Sequence, residues 1–103
     1  MRLTHSLVQV VLALSEDPFG QHWGYDLSRK AHVRSGAMYP ILRRMLNEGW
    51  LTDGWEDPAE TAGRPPRRYY TLTDKGRREI GALLVTAQQD GRFAGLNPGW
   101  SGA

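Results

Sequence analysis

The sequence has no cysteine among its 103 residues, which removes disulfides, thiolate metal sites and cysteine nucleophiles together. An intracellular protein fits that absence, although nothing in it demands one. Long apolar runs are also missing. The most hydrophobic stretch, "LVQVVLAL" at residues 7–14, falls well short of the ~20 residues that span a bilayer, includes Gln9 and has no small-residue cleavage site after it. It reads as a buried helix, so we expect no membrane partner and a cytoplasmic location. Groups for catalysis are scarce. His5, His22 and His32 fall on different predicted elements, with no H-x-x-x-H spacing and no paired carboxylates beside them. His22 and His32 could still meet in space around a metal, but lone histidines are more often structural. The glycines of "AGRPP" and "GWSGA" lack the strand and helix flanks of a phosphate loop. These scarcities argue against an enzyme and imply no cofactor and no metal.

What is present is charge, unevenly placed. The formal net charge is only +2. Arg29, Lys30, Arg34, Arg43 and Arg44 lie between Leu27 and Asn47 without one acid, and Arg64, Arg67, Arg68, Lys75, Arg77 and Arg78 lie between Gly63 and Arg78 against Asp74 alone. The acids collect elsewhere, at Glu16, Asp17 and Asp26 and then from Glu48 to Glu60. Two basic blocks facing one way would attract a polyanion, whereas scattered over a surface they would only solubilise it.

Hydrophobic spacing and turn residues order the chain. Thr4 caps a predicted helix over residues 5–16, with Leu7, Val8, Val11, Leu12 and Leu14 on its apolar stripe. Pro18 and Gly20 break it, and a short helix follows at 22–31. After "HVRSG", Ser35 is the expected cap of a third helix whose Met38, Ile41, Leu42 and Met45 share a face and which Gly49 ends. Pro40 falls in its early turns, where one lost backbone bond is tolerable. Residues 50–57 and "RRYYTLT" at 67–73 read as two strands of a hairpin around the loop "DPAETAGRPP". Thr73 then caps a fourth helix over about 74–89, with Ile80, Leu83, Leu84 and Ala87 in register. From Asp90 the chain has no period, and residues 91–103 are expected to form a mostly flexible tail after a domain at 1–90. Helix, helix, helix, strand, basic loop, strand, helix is the order of a mostly helical α+β fold, the winged helix-turn-helix.

Several segments taken in order resemble the PadR family of transcriptional regulators. They are Gly24-Tyr25-Asp26-Leu27, the run from Ser35 to Met45 that contains "GAMYPIL", Glu48-Gly49-Trp50-Leu51, Gly63-Arg64-Pro65, Tyr69-Tyr70-Thr71-Leu72-Thr73 and Gly76-Arg77. The resemblance covers about residues 5–90. It implies a homodimer that binds a palindromic operator in double-stranded DNA, usually as a repressor, sometimes under a small-molecule effector that this sequence does not identify. It also implies that the wing lies on the minor groove or the backbone, and that dimerisation uses the helical region after the wing together with the first helix. Only one helix remains for that role, so the chain resembles a short member.

On the residues themselves, Ser35, Gly36 and Ala37 keep the third helix's N-terminus slim enough for close approach, with Pro40 beside them. Tyr39 offers either a phosphate-seeking hydroxyl or a packing ring. Arg43 and Arg44 suit phosphate, guanine or plain solvation. Arg64, Arg67 and Arg68 suit phosphate contact or protection of a hairpin edge, while Lys30 and Arg34 flank the turn. For the dimer, Leu7, Val8, Val11, Ile80, Leu83, Leu84 and Ala87 are the expected interface, with Gly81 either easing helix approach or merely weakening its helix. The rival in another class is a winged-helix module that binds protein without specific DNA binding.

Overall fold

The computed structural model describes residues 1–100; positions 101–103, part of the expected tail, lie outside the described residues. Helix α1 spans His5–Ser15, and the Thr4 side chain accepts from the Leu7 N–H as expected of its cap. Helix α2 is shorter than its pattern suggests, Gly24–Ala31, because His22–Trp23 form a two-residue strand, β1. Helix α3 spans Ser35–Asn47. Strands β2 (Leu51–Trp55) and β3 (Arg68–Leu72) form the hairpin, and α4 runs Asp74–Gln88 behind the Thr73 cap. The sheet is antiparallel in the order β1-β3-β2, with His22 opposite Tyr70 and Trp55 opposite Arg68. A strand of two residues carries no readable alternation, which is why the sequence assigns it to the helix.

The turn between α2 and α3 is fixed by hydrogen bonds. His32 takes a left-handed φ of 56°, the Val33 N–H donates to the Ser28 carbonyl (3.2 Å), and the Ser28 hydroxyl donates to the Val33 carbonyl (2.6 Å). At the far end of α3, Gly49 adopts φ 76° and its N–H donates to the Leu46 carbonyl at 3.1 Å, while the Trp50 N–H donates to the Met45 carbonyl at 2.8 Å. This is the two-bond stop that glycine permits without a Cβ penalty.

The main core gathers Leu7, Val11 and Leu14 of α1, Leu27 of α2, Met38, Leu42 and Met45 of α3, and Leu51, Tyr70 and Leu72 of the sheet. Removing side chains of this size from water contributes roughly 1.5–3 kcal/mol each, which seats α3 with its opposite face outward. A second cluster corrects an expectation. Residues Gly91–Leu96 and Pro98–Trp100 form short 3-10 turns instead of an unstructured tail, and Phe93 and Trp100 are buried with Val8 and Ala87. Two aromatics among many glycines supply apolar area that composition alone undervalues. Of the residues expected at a dimer surface, Leu7, Val8, Val11, Ile80 and Ala87 are buried within this one chain, and Leu83 and Leu84 stay partly open.

Candidate nucleic-acid interface

Burial on one side of α3 sorts its residues. With Met38, Leu42 and Met45 inside, the exposed face carries Ser35, Gly36, Ala37, Tyr39, Pro40, Arg43, Arg44 and Asn47. The cap differs from expectation. Arg34 holds the N-cap position in extended conformation and Ser35 is already helical, so no side chain caps this end. The free N–H groups and the positive dipole end face outward among small residues. Pro40 is the sixth residue of the helix, and α3 continues through it unbroken. The bond it lacks would have gone to the Gly36 carbonyl, where the slimmest residue leaves most room for the ring.

The cations of this face differ in how committed they are. Arg34 and Arg43 pair with no carboxylate among the described residues. Arg44 lies 4.0 Å from Glu48 and Lys30 3.9 Å from Glu16, loose pairs between exposed groups. The wing is another matter. Arg64 donates to both Glu56 oxygens at 2.7 and 2.8 Å, and Arg67 reaches the same carboxylate through its backbone N–H (2.9 Å) and Nε (3.2 Å). Arg68 is forked onto Asp53, with Nε at 2.7 Å. The Arg64 bond, reinforced by Arg67, holds the Glu56 carboxyl down at about 2 despite the opposing effect of burial. Between Leu51 and Leu72 the hairpin holds Asp53, Glu56, Asp57 and Glu60 against Arg64, Arg67 and Arg68, so its formal charge is slightly negative. The free positive field expected of the wing is therefore internally balanced. All three arginines remain exposed, but they brace the loop.

Between α3 and the wing lies a cleft of about 270 Å³ that the sequence did not reveal, lined by Trp23, Gly24, Tyr25, Tyr39, Arg67, Arg68 and Tyr70. Arg67 stacks over Trp23 at 5.3 Å and Arg68 over Tyr70 at 5.2 Å. Recognising it would have required β1, because pairing of Trp23 with Tyr69 is what carries the start of α2 to the wing.

The histidines stay apart in role. His22 is buried and donates to the Asp17 carbonyl at 2.7 Å, His5 donates to the Arg92 carbonyl at 2.9 Å, and His32 makes the left-handed end of α2. No group of three or more potential metal ligands occurs among the described residues. No described helix is long and apolar enough to cross a membrane.

Solved structures resemble this arrangement. A PadR family transcription regulator from Clostridium difficile aligns with a TM-score of 0.66 at 19% identity, over 81% of this chain and 86% of that one. A PadR-like transcriptional regulator from Bacillus cereus gives 0.62 at 28% identity, over 77% and 80%. Bacillus subtilis PadR, solved in complex with operator DNA, gives 0.61 at 24% identity, over 77% of this chain but 46% of that protein. No curated protein sequence matches significantly. The profile of the transcriptional regulator PadR-like family matches residues 11–82, from the middle of α1 through the helix-turn-helix and wing into α4. With well over half its length matched to that profile and its winged-helix fold shared with solved regulators, the chain belongs to the PadR-like family of transcriptional regulators.

Proposed function

We propose that the protein is a sequence-reading, double-stranded DNA-binding regulator that acts as a homodimeric repressor on a palindromic operator. The observation that carries this reading is the outward face of α3: an uncapped N-terminus, small residues Ser35, Gly36 and Ala37, then Tyr39 and the unpaired Arg43 on one exposed side. A helix presented in this way fits the major groove, where its early residues meet base edges and its flanks meet phosphates. Arg43 is the candidate base reader. Lys30, Arg34 and Arg44 are placed for the flanking backbone, and Arg64, Arg67 and Arg68 keep the wing's shape while offering their remaining N–H groups to it. The operator complex of the Bacillus subtilis relative supports duplex DNA as the partner.

A two-fold protein reading two half-sites needs a second copy. The buried members of the expected interface are consumed in the chain's own core, so the surface left on that side is Leu83 and Leu84, partly open, with the exposed Val85. The deciding experiment is selection of bound duplexes from a random pool. Recovery of a palindrome is the expected result. Failure to enrich any duplex, with no fall in binding as salt rises, would leave a protein-binding winged helix in its place.

A further inference from the structure

Packing does not account for the cleft between the start of α2, Tyr39 and β3. Tyr70 is its most informative wall. The residue is 2% exposed, yet its hydroxyl has no hydrogen-bond partner among the described residues, and the side chain lines the cleft. No buried side-chain polar atom among the described residues lacks a partner, so this hydroxyl is not sealed in the core but reaches the cleft, where it can donate to a bound acceptor. Burial pushes the Tyr70 hydroxyl above its ordinary pKa, which keeps the proton available for donation. A second hydroxyl, on the half-exposed Tyr39, is also without a partner there. The start of α2 forms a third wall, and its N-cap Trp23 makes no side-chain cap. First-turn N–H groups there remain open to an acceptor.

The acceptor's chemistry follows from the charges at the rim. Arg68 is held by Asp53 and Arg67 by Glu56, so each cation arrives with a carboxylate beside it. A free dianion meets those carboxylates at close range. A phosphodiester, with a single charge and two acceptor oxygens, suits neutral hydroxyl donors backed by a partly neutralised guanidinium, and its deoxyribose suits the Trp23 and Tyr25 walls.

We propose that this cleft is a phosphodiester subsite in which one backbone phosphate of the bound duplex accepts from the Tyr70 and Tyr39 hydroxyls and the first turn of α2, with Arg68 at its edge. The subsite rests on the DNA-binding reading above. It gives that reading a register device, because one phosphate joins α3, through Tyr39, to the wing strand, through Tyr70.

Tyr70→Phe tests it, since the change deletes only an unpartnered hydroxyl. The folded variant should melt at the wild-type temperature or above. Its affinity for the duplex recovered by selection should be about tenfold weaker, as for a lost hydrogen bond to a charged acceptor, and by the same factor across related sequences. No charge is removed, so the salt dependence should keep its slope, whereas Arg68→Ala should lower the slope by about one phosphate. Methylphosphonate placed singly along the backbone should abolish the difference between wild type and Tyr70→Phe at one position in each half-site. Wild-type affinity in Tyr70→Phe, or a scan with no converging position, overturns the subsite and leaves DNA binding intact. A wild-type chain that binds no duplex overturns the broader reading instead.

Discussion

The hydroxyl oxygen of Tyr39 lies 2.4 Å from where a β-carbon on Gly24 would stand, so the first residue of α2 is cut to the shape of a side chain on α3. Gly24→Ala should therefore move Tyr39. The tyrosine is 46% exposed and free to swing outward, and alanine is the better helix former, so stability should change by less than about 1 kcal/mol. Affinity for duplex DNA should fall several-fold all the same. A thermal melt and a binding isotherm on the same preparation check this, and unchanged affinity would show that Tyr39's position is immaterial.

Two glycines of α4 should respond in opposite directions. A β-carbon on Gly76 would meet the Trp50 carbonyl oxygen at 1.9 Å, and that oxygen already accepts from the Thr73 N–H at 3.0 Å. Backbone cannot yield as a side chain can, so Gly76→Ala should cost about 3 kcal/mol. Gly81 is exposed and has nothing within 4 Å, so Gly81→Ala should gain up to about 1 kcal/mol from helix propensity. Urea unfolding of the pair decides the matter. If Gly81→Ala instead weakens self-association in sedimentation, the glycine serves close helix approach.

This contrast marks where the sequence could be read and where it could not. Caps at Thr4 and Thr73, the stripe of α3 and the hairpin follow from local rules, and each stands within a residue or two of its expected place. The arginines of the wing were legible as residues, but their pairing was not, because Glu56 and Arg64 meet only once the loop folds back on itself. Tyr70 read as strand content for the same reason: its open hydroxyl depends on β1, which is too short to announce itself. The chain after Asp90 misled because glycine content masked Phe93, whose packing partners Val8 and Ala87 lie on other helices.

Phe93 gives a direct measure of that last point. It is fully buried, and its ring lies 5.1 Å from His5 across the gap to α1. Phe93→Ala should cost about 3 kcal/mol, the lower end for a buried aromatic, through lost transfer energy and the cavity left behind. Chemical denaturation reads this directly. A variant within about 0.5 kcal/mol of wild type would mean that the closing turns add nothing to the fold.

The wing carries its own pH dependence, through Glu56. Its carboxyl is lowered from an ordinary 4.5 to about 2, first by the Arg64 hydrogen bonds and then by those of Arg67, against a smaller opposing effect of burial. A depressed acid stabilises the folded form above its unfolded pKa, so the contribution is complete above about pH 4.5 and is lost as pH falls from there toward 2. Glu56→Gln removes the titrating group and keeps the shape. The variant should be less stable than wild type at neutral pH, and the gap should close as pH falls through that window. Hydrogen exchange at the Arg67 amide, which donates to Glu56 at 2.9 Å, reports the same clamp locally. Protection that persists unchanged in Glu56→Ala, which removes the acceptor altogether, would mean that strand pairing holds the wing, and that its arginines are freer to meet a partner than their ion pairs imply.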